Sequence, residues 1–155
     1  MNIKKLLNAP FIGLIGTAMY VGVMICIGFG LGGYWLTLEA TTYAQMFQDI
    51  FPFLLPAIAL TLLPGLVGVF HSFKTEKNVQ QKRLWCNSLI AIVISIAITS
   101  FIALPLNFTI WSDGTSSADL AILLPVWLVM HAARLVAAFI GVAYAMKALN
   151  EKTSS

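Results

Sequence analysis

Four stretches of this chain are long and apolar enough to cross a lipid bilayer: Pro10 to about Leu38, Ile50 to Phe73, Leu84 to Ile110 and Leu120 to Leu149. At 1.5 Å of rise per helical residue, about 20 residues span a hydrocarbon core roughly 30 Å thick. Each stretch meets that length with some allowance for tilt. The whole chain of 155 residues is 59% hydrophobic and only 10% charged, which describes a surface facing lipid rather than water. The expected fold is therefore all-α: an integral membrane four-helix bundle forming a single domain over residues 1–155. The first run follows Lys4 and Lys5, as the apolar region of a signal peptide would. Such a region has about 7 to 15 residues, so this longer run reads as a span.

Orientation follows from the basic residues, because lysine and arginine resist translocation. Lys4 and Lys5 precede the first span, Lys74, Lys77, Lys82 and Arg83 separate the second from the third, and Lys147 and Lys152 end the fourth. The other two connections carry acids, Glu39 and Asp49 in the first and Asp113 and Asp119 in the second. Both termini are expected on the cytoplasmic side, with two short loops outside, in a multi-pass protein of the bacterial cytoplasmic membrane with lipid as its surroundings. A net charge of +3 gathered in such short clusters marks topology, and no nucleic-acid partner is expected.

Cys26 lies deep in the first run and Cys86 at the cytoplasmic start of the third. Their depths differ by about 15 Å, where bridged Cα atoms need about 4.4 to 6.8 Å. His71 and His131 are far apart in sequence, and no Cys-x-x-Cys or His-x-x-x-His spacing occurs, so neither a metal nor another cofactor is expected. Pro52, Pro56 and Pro64 in the second span and Pro105 in the third predict bent or locally opened helices. Gly28 and Gly32 allow another helix to approach closely, either inside the bundle or as a homo-oligomer face.

One residue stands against the apolar pattern. Arg134 sits near the middle of the fourth span, where an arginine costs about 2.5 to 3.5 kcal/mol on insertion scales. His131 precedes it by one helical turn and Trp127 by two, which places all three on one face, directed inward if the charge is hidden. Spans three and four are antiparallel and join at their outer ends, bringing Asn107 and Trp111 near the outer turns of the fourth. Thr99 faces the same region, and Gln48 and Asp49 approach from the first outer loop. With no acid embedded beside it, Arg134 must use neutral acceptors, water, Glu39 or Asp49 from the rim, or an anionic ligand. The plain alternatives are Trp111 and Trp127 as interfacial anchors, Asn107 as a cap on the opening at Pro105, and Arg134 as a brace on backbone carbonyls.

The stretches Leu104-Pro105-Leu106-Asn107 with Trp111, and Trp127-x-x-x-His131-x-x-Arg134, resemble the anthrone oxygenase-like family of small four-helix membrane proteins, largely a domain of unknown function. The resemblance covers nearly the whole chain in length and span number, and its specific part lies in spans three and four. It implies oxidation of an anthrone to an anthraquinone by O2 without metal or flavin. His131 would then be the base, Arg134 and Asn107 would stabilise the oxyanion, and Trp111, Trp127, Thr99 and Gln48 would line a small hydrophobic or aromatic ligand. Two other readings stand beside it: a non-enzymatic scaffold or small subunit, and a small-molecule or anion transporter, which the lack of internal repeats disfavours.

Overall fold

The computed structural model of the chain describes residues 8–112 and 114–153. Lys4, Lys5 and Asp113, and the side chain of Lys152, fall outside the described residues. Four helices account for nearly all of it: α1 (Ala9–Trp35), α2 (Ala40–Thr75), α3 (Val79–Trp111) and α4 (Ser117–Thr153). The all-α four-helix bundle expected from the apolar runs is what the chain forms, and all four helices are long and apolar enough to cross a membrane.

Local signals fix where these helices start. Asn8 caps α1 by accepting from the backbone N–H of Phe11 at 3.2 Å, with Pro10 in the first turn. Asn78 caps α3 by accepting from the N–H groups of Gln80 and Gln81. Before α4, Ser116 and Asp119 bond each other reciprocally, serine hydroxyl to carboxylate at 2.6 Å and Asp119 N–H to serine oxygen at 3.1 Å. The turn from α3 to α4 passes through Gly114 at φ 100°, a conformation that suits glycine.

The helices pack in antiparallel sequence order, α1 most closely on α2 and α3 on α4, while α1 also meets α4 and α2 meets α3. Glycines set the α1–α2 approach. A Cβ on Gly16 would lie 2.6 Å from the Cα of Gly65, and one on Gly68 would lie 2.6 Å from the Cα of Gly13, so neither contact admits a side chain. Thr17 and Ser72 sit in this seam and return their hydroxyls to backbone carbonyls one turn back, Gly13 and Gly68, at 2.7 and 2.6 Å. Polar side chains are thus consumed locally where the helices touch.

Apolar clusters divide the interior by depth. Val69, Leu84, Trp85, Ala145 and Ala148 fill the end that carries Lys74, Lys77, Lys82, Arg83 and Lys147. Trp35, Tyr43, Phe47, Ile110, Leu120 and Trp127 fill the other, and Tyr20, Met24 and Leu135 lie between. Large apolar side chains such as Phe29 (78% exposed), Leu60 (75%) and Phe101 (81%) point outward, which only a hydrocarbon surround makes favourable. Among the described residues the basic side chains apart from Arg134 gather at one end of the bundle, the end that the positive-inside rule assigns to the cytoplasm.

Two expectations change. The second span begins at Ala40, about ten residues before the apolar run, so Gln45, Gln48 and Asp49 are helical and not part of a loop. Its three prolines leave α2 helical throughout and all face outward. The backbone opens in α3, as Pro105 predicts, where Thr99–Ala103 widens to π-helical turns, and also in α1, where Cys26–Gly32 does the same without any proline.

Candidate functional site

The inward face of α4 carries the site. Trp127 and His131 stack with ring centroids 5.1 Å apart at 29°, and the Arg134 guanidinium lies 5.7 Å from the Trp127 ring centroid. All three are buried, at 2%, 3% and 3% exposure, which excludes Trp127 as an interfacial anchor. Asn107 from α3 accepts from the Trp127 indole N–H at 2.6 Å, so its amide serves the tryptophan. The four residues form one connected group joining α3 and α4.

The hydrogen bonds of His131 determine its tautomer. Its Nε2 stands 2.7 Å from the carbonyl oxygen of Met24 on α1, which can only accept, so Nε2 carries the hydrogen. Its Nδ1 stands 2.6 Å from Nη2 of Arg134, which can only donate, so Nδ1 presents the lone pair. A neutral imidazole satisfies both contacts at once. Below it, Tyr20 of α1 donates to the Ser95 hydroxyl of α3 at 3.0 Å, and Ser95 donates to the backbone carbonyl of Arg134 at 3.0 Å. Three helices are therefore tied at one depth by groups that lipid could not satisfy.

Of the partners expected for Arg134, the structure shows a neutral acceptor, the Nδ1 of His131. Arg134 makes no ion pair with Glu39 or Asp49, both exposed on the outer part of the bundle. Among the described residues the one hydrogen bond of its side chain goes to His131, and its buried Nε has no partner. Two other buried donors in the outer half, Trp35 Nε1 and Tyr43 Oη, are likewise unpartnered among the described residues, and their rings lie 5.5 Å apart.

The remaining candidate residues sit elsewhere. Trp111 is 46% exposed at the outer rim, where its carbonyl accepts from the Gln48 amide at 3.1 Å. A chain of rings links it to the interior, Phe51 at 6.4 Å and then Phe47, which meets Trp127 edge-on at 6.4 Å. Thr99 returns its hydroxyl to the Ser95 carbonyl of its own helix at 2.9 Å. No three His, Cys, Asp or Glu side chains among the described residues converge where a metal ion could sit. Cys26 is exposed, Cys86 partly buried, and both are free.

Gly28 and Gly32 do their work inside the bundle: Gly28 abuts the His131 ring, and Gly32 abuts Leu128 and Trp127. Beside this contact a cavity of about 420 Å³ opens between α1 and α4 toward the bilayer, bounded by Gly28, Phe29, Leu128, Leu135 and Phe139, with His131 the polar side chain in its wall. Sequence reasoning did not find Tyr20, Met24 or this lateral opening. Only the glycine-rich stretch Cys26–Gly32 hinted at it, since seven residues with three glycines give a helix little reason to stay regular.

No family model, curated protein or solved structure matches the chain.

Proposed function

We propose that the chain is a multi-pass protein of the bacterial cytoplasmic membrane that binds a flat hydrophobic molecule entering sideways from the bilayer between α1 and α4. The observation that carries this is the cavity of about 420 Å³ on the lipid-facing side whose wall contains His131. An apolar pocket with one convergent polar group is the usual form of a small-molecule site. A lipid-soluble ligand reaches it without crossing water.

The resemblance of Trp127, His131, Arg134 and Asn107 to the anthrone oxygenase-like pattern adds a reaction to this reading. His131 takes one hydrogen of the substrate methylene as a proton. The delocalised carbanion passes an electron to O2, and the two radicals join as a C–O bond. The peroxide anion takes back the proton held by His131 and becomes a hydroperoxide. His131 then removes the second methylene hydrogen as a proton, which breaks the O–O bond and leaves a carbonyl and hydroxide, and His131 passes that proton to the hydroxide to give water. One O2 is consumed, and one quinone carbonyl and one water are formed. Arg134 must leave Nδ1 for His131 to act as base, because the lone pair is otherwise engaged.

Purified protein in nanodiscs, given anthrone, should accelerate quinone absorbance over empty nanodiscs. No acceleration removes the reaction; no binding of anthrone or any flat hydrophobic molecule removes the site.

A second reading, a scaffold, is favoured by one observation: the Asn107–Trp127, Met24–His131 and Ser95–Arg134 bonds each join two different helices. A scaffold would bind nothing in the groove.

A further inference from the structure

We infer that the polar group this site is built to hold is an anionic oxygen, and that its ligand is a lipid-soluble weak acid whose apolar body lies in the α1–α4 groove. This rests on the groove reading above and specifies the chemistry of what enters it.

Arg134 is a permanent cation, 3% exposed, in the middle of a membrane-spanning helix. Its hydrogen-bond partner is a neutral imidazole, its Nε–H is buried without a partner among the described residues, and no carboxylate reaches it. A charge of this kind raises the free energy of the bundle unless something compensates it. Trp127 supplies a ring face at 5.7 Å, which offsets part of that cost but leaves no counter-charge.

The histidine sharpens the chemistry. Its Nδ1 accepts from the guanidinium, so the group it turns toward Gly28 and the groove is an N–H donor with a cation behind it. Hydrogen bonds in series polarise one another, which makes that N–H a stronger donor than an isolated imidazole would supply. Among the described residues, the groove wall offers the His131 N–H with the Arg134 charge behind it, and no carboxylate lines it. An oxyanion fits this arrangement, whereas a cation or a purely donating ligand finds nothing to bind.

Two features admit such a group. Gly28 has no Cβ, so the Cδ2–Nε2 edge of His131 meets only bare α1 backbone there, and both residues border the groove. The Met24 carbonyl that holds Nε2–H belongs to α1 just before its π-helical turns, and a ligand oxygen competes for the same hydrogen.

Fatty acids and flat aromatic acids share this chemistry, and the test separates them. Binding of 2-naphthoic acid, dodecanoic acid and their methyl esters is measured by calorimetry in phosphatidylcholine nanodiscs, corrected against empty nanodiscs. A charge-assisted hydrogen bond predicts that acid exceeds ester by about tenfold or more. The preference should fade as pH drops through the acid's own ionisation, and Arg134→Met should bring the acid-to-ester ratio toward one. Equal binding of acid and ester overturns the inference while leaving the groove reading standing. Binding of none of the four overturns both. A preference for dodecanoate over naphthoate keeps the anion and overturns the flat shape. Should Arg134→Met fail to fold, the wild-type ratio and its pH dependence decide.

Discussion

Gly28 stands edge-on to His131: a Cβ at that position would lie 2.7 Å from Cδ2 and 2.8 Å from Nε2 of the imidazole. The ring cannot retreat without giving up either Met24 or Arg134, because its two nitrogens are bonded on opposite sides. Gly28→Ala should therefore destabilise the bundle by about 1–3 kcal/mol, the usual cost of forcing extra volume into a packed contact. Gly30 and Gly33 have nothing within 4 Å of an added Cβ, and alanine there should be neutral or mildly stabilising. Unfolding of the three variants in mixed micelles checks the contrast; equal effects would show that the ring is free to move.

Asn107 and Trp127 make a second testable pair. Their 2.6 Å bond is buried between α3 and α4, so either partner left alone is an unsatisfied polar group. Asn107→Leu and Trp127→Phe should each destabilise. A double-mutant cycle should return a coupling of about 0.6 to 1.7 kcal/mol, the range seen for hydrogen bonds between membrane helices. A coupling near zero would mean that water serves both groups equally well.

The α1–α2 seam predicts a steeper dependence on side-chain size. Gly16 and Gly65 meet backbone to backbone, and no flexible side chain can yield there. Gly16→Val or Gly65→Val should separate the helices and cost more than the same change at Gly22, where an added Cβ meets nothing within 4 Å. Folded yield and thermal aggregation in detergent read the difference.

Hydropathy made the spans legible because lipid tolerates only long apolar helices, and the spacing of Trp127, His131 and Arg134 placed them on one face because helical period is rigid. The start of α2 was harder to see. At 36 residues it is about 54 Å long, well beyond a 30 Å hydrocarbon core, so its first turns lie at the interface where polar residues belong. Tyr43, Phe47 and Phe51 recur there every four residues and are buried, a helical pattern hidden by Gln45, Gln48 and Asp49 between them. The α1 partner of His131 was not legible at all. Met24 holds His131 through a backbone carbonyl, which any residue carries, and carbonyl placement depends on where α1 widens.

Orientation can be checked residue by residue. With Cys26 and Cys86 replaced, a cysteine at Thr115, in the α3–α4 turn, should react with a membrane-impermeant maleimide in intact cells. A cysteine at Lys77, between α2 and α3, should react only after permeabilisation. The opposite pattern would invert the topology that Lys74, Lys77, Lys82 and Arg83 imply.

Arg134 separates a scaffold from a site. If its role is to tie helices together, Arg134→Met, which keeps much of the volume and removes the buried charge, should leave stability within about 1.5 kcal/mol of wild type or raise it. Arg134→Ala adds a cavity and should cost about 2–4 kcal/mol more, whichever reading holds. The decisive comparison is thus between stability and binding in the methionine variant. A bundle as stable as wild type that has lost its preference for acid over ester shows that the charge serves a ligand. An equally stable bundle, in a protein whose wild-type form never bound either compound, shows that the charge serves no ligand of this class and that a side chain of similar volume packs as well.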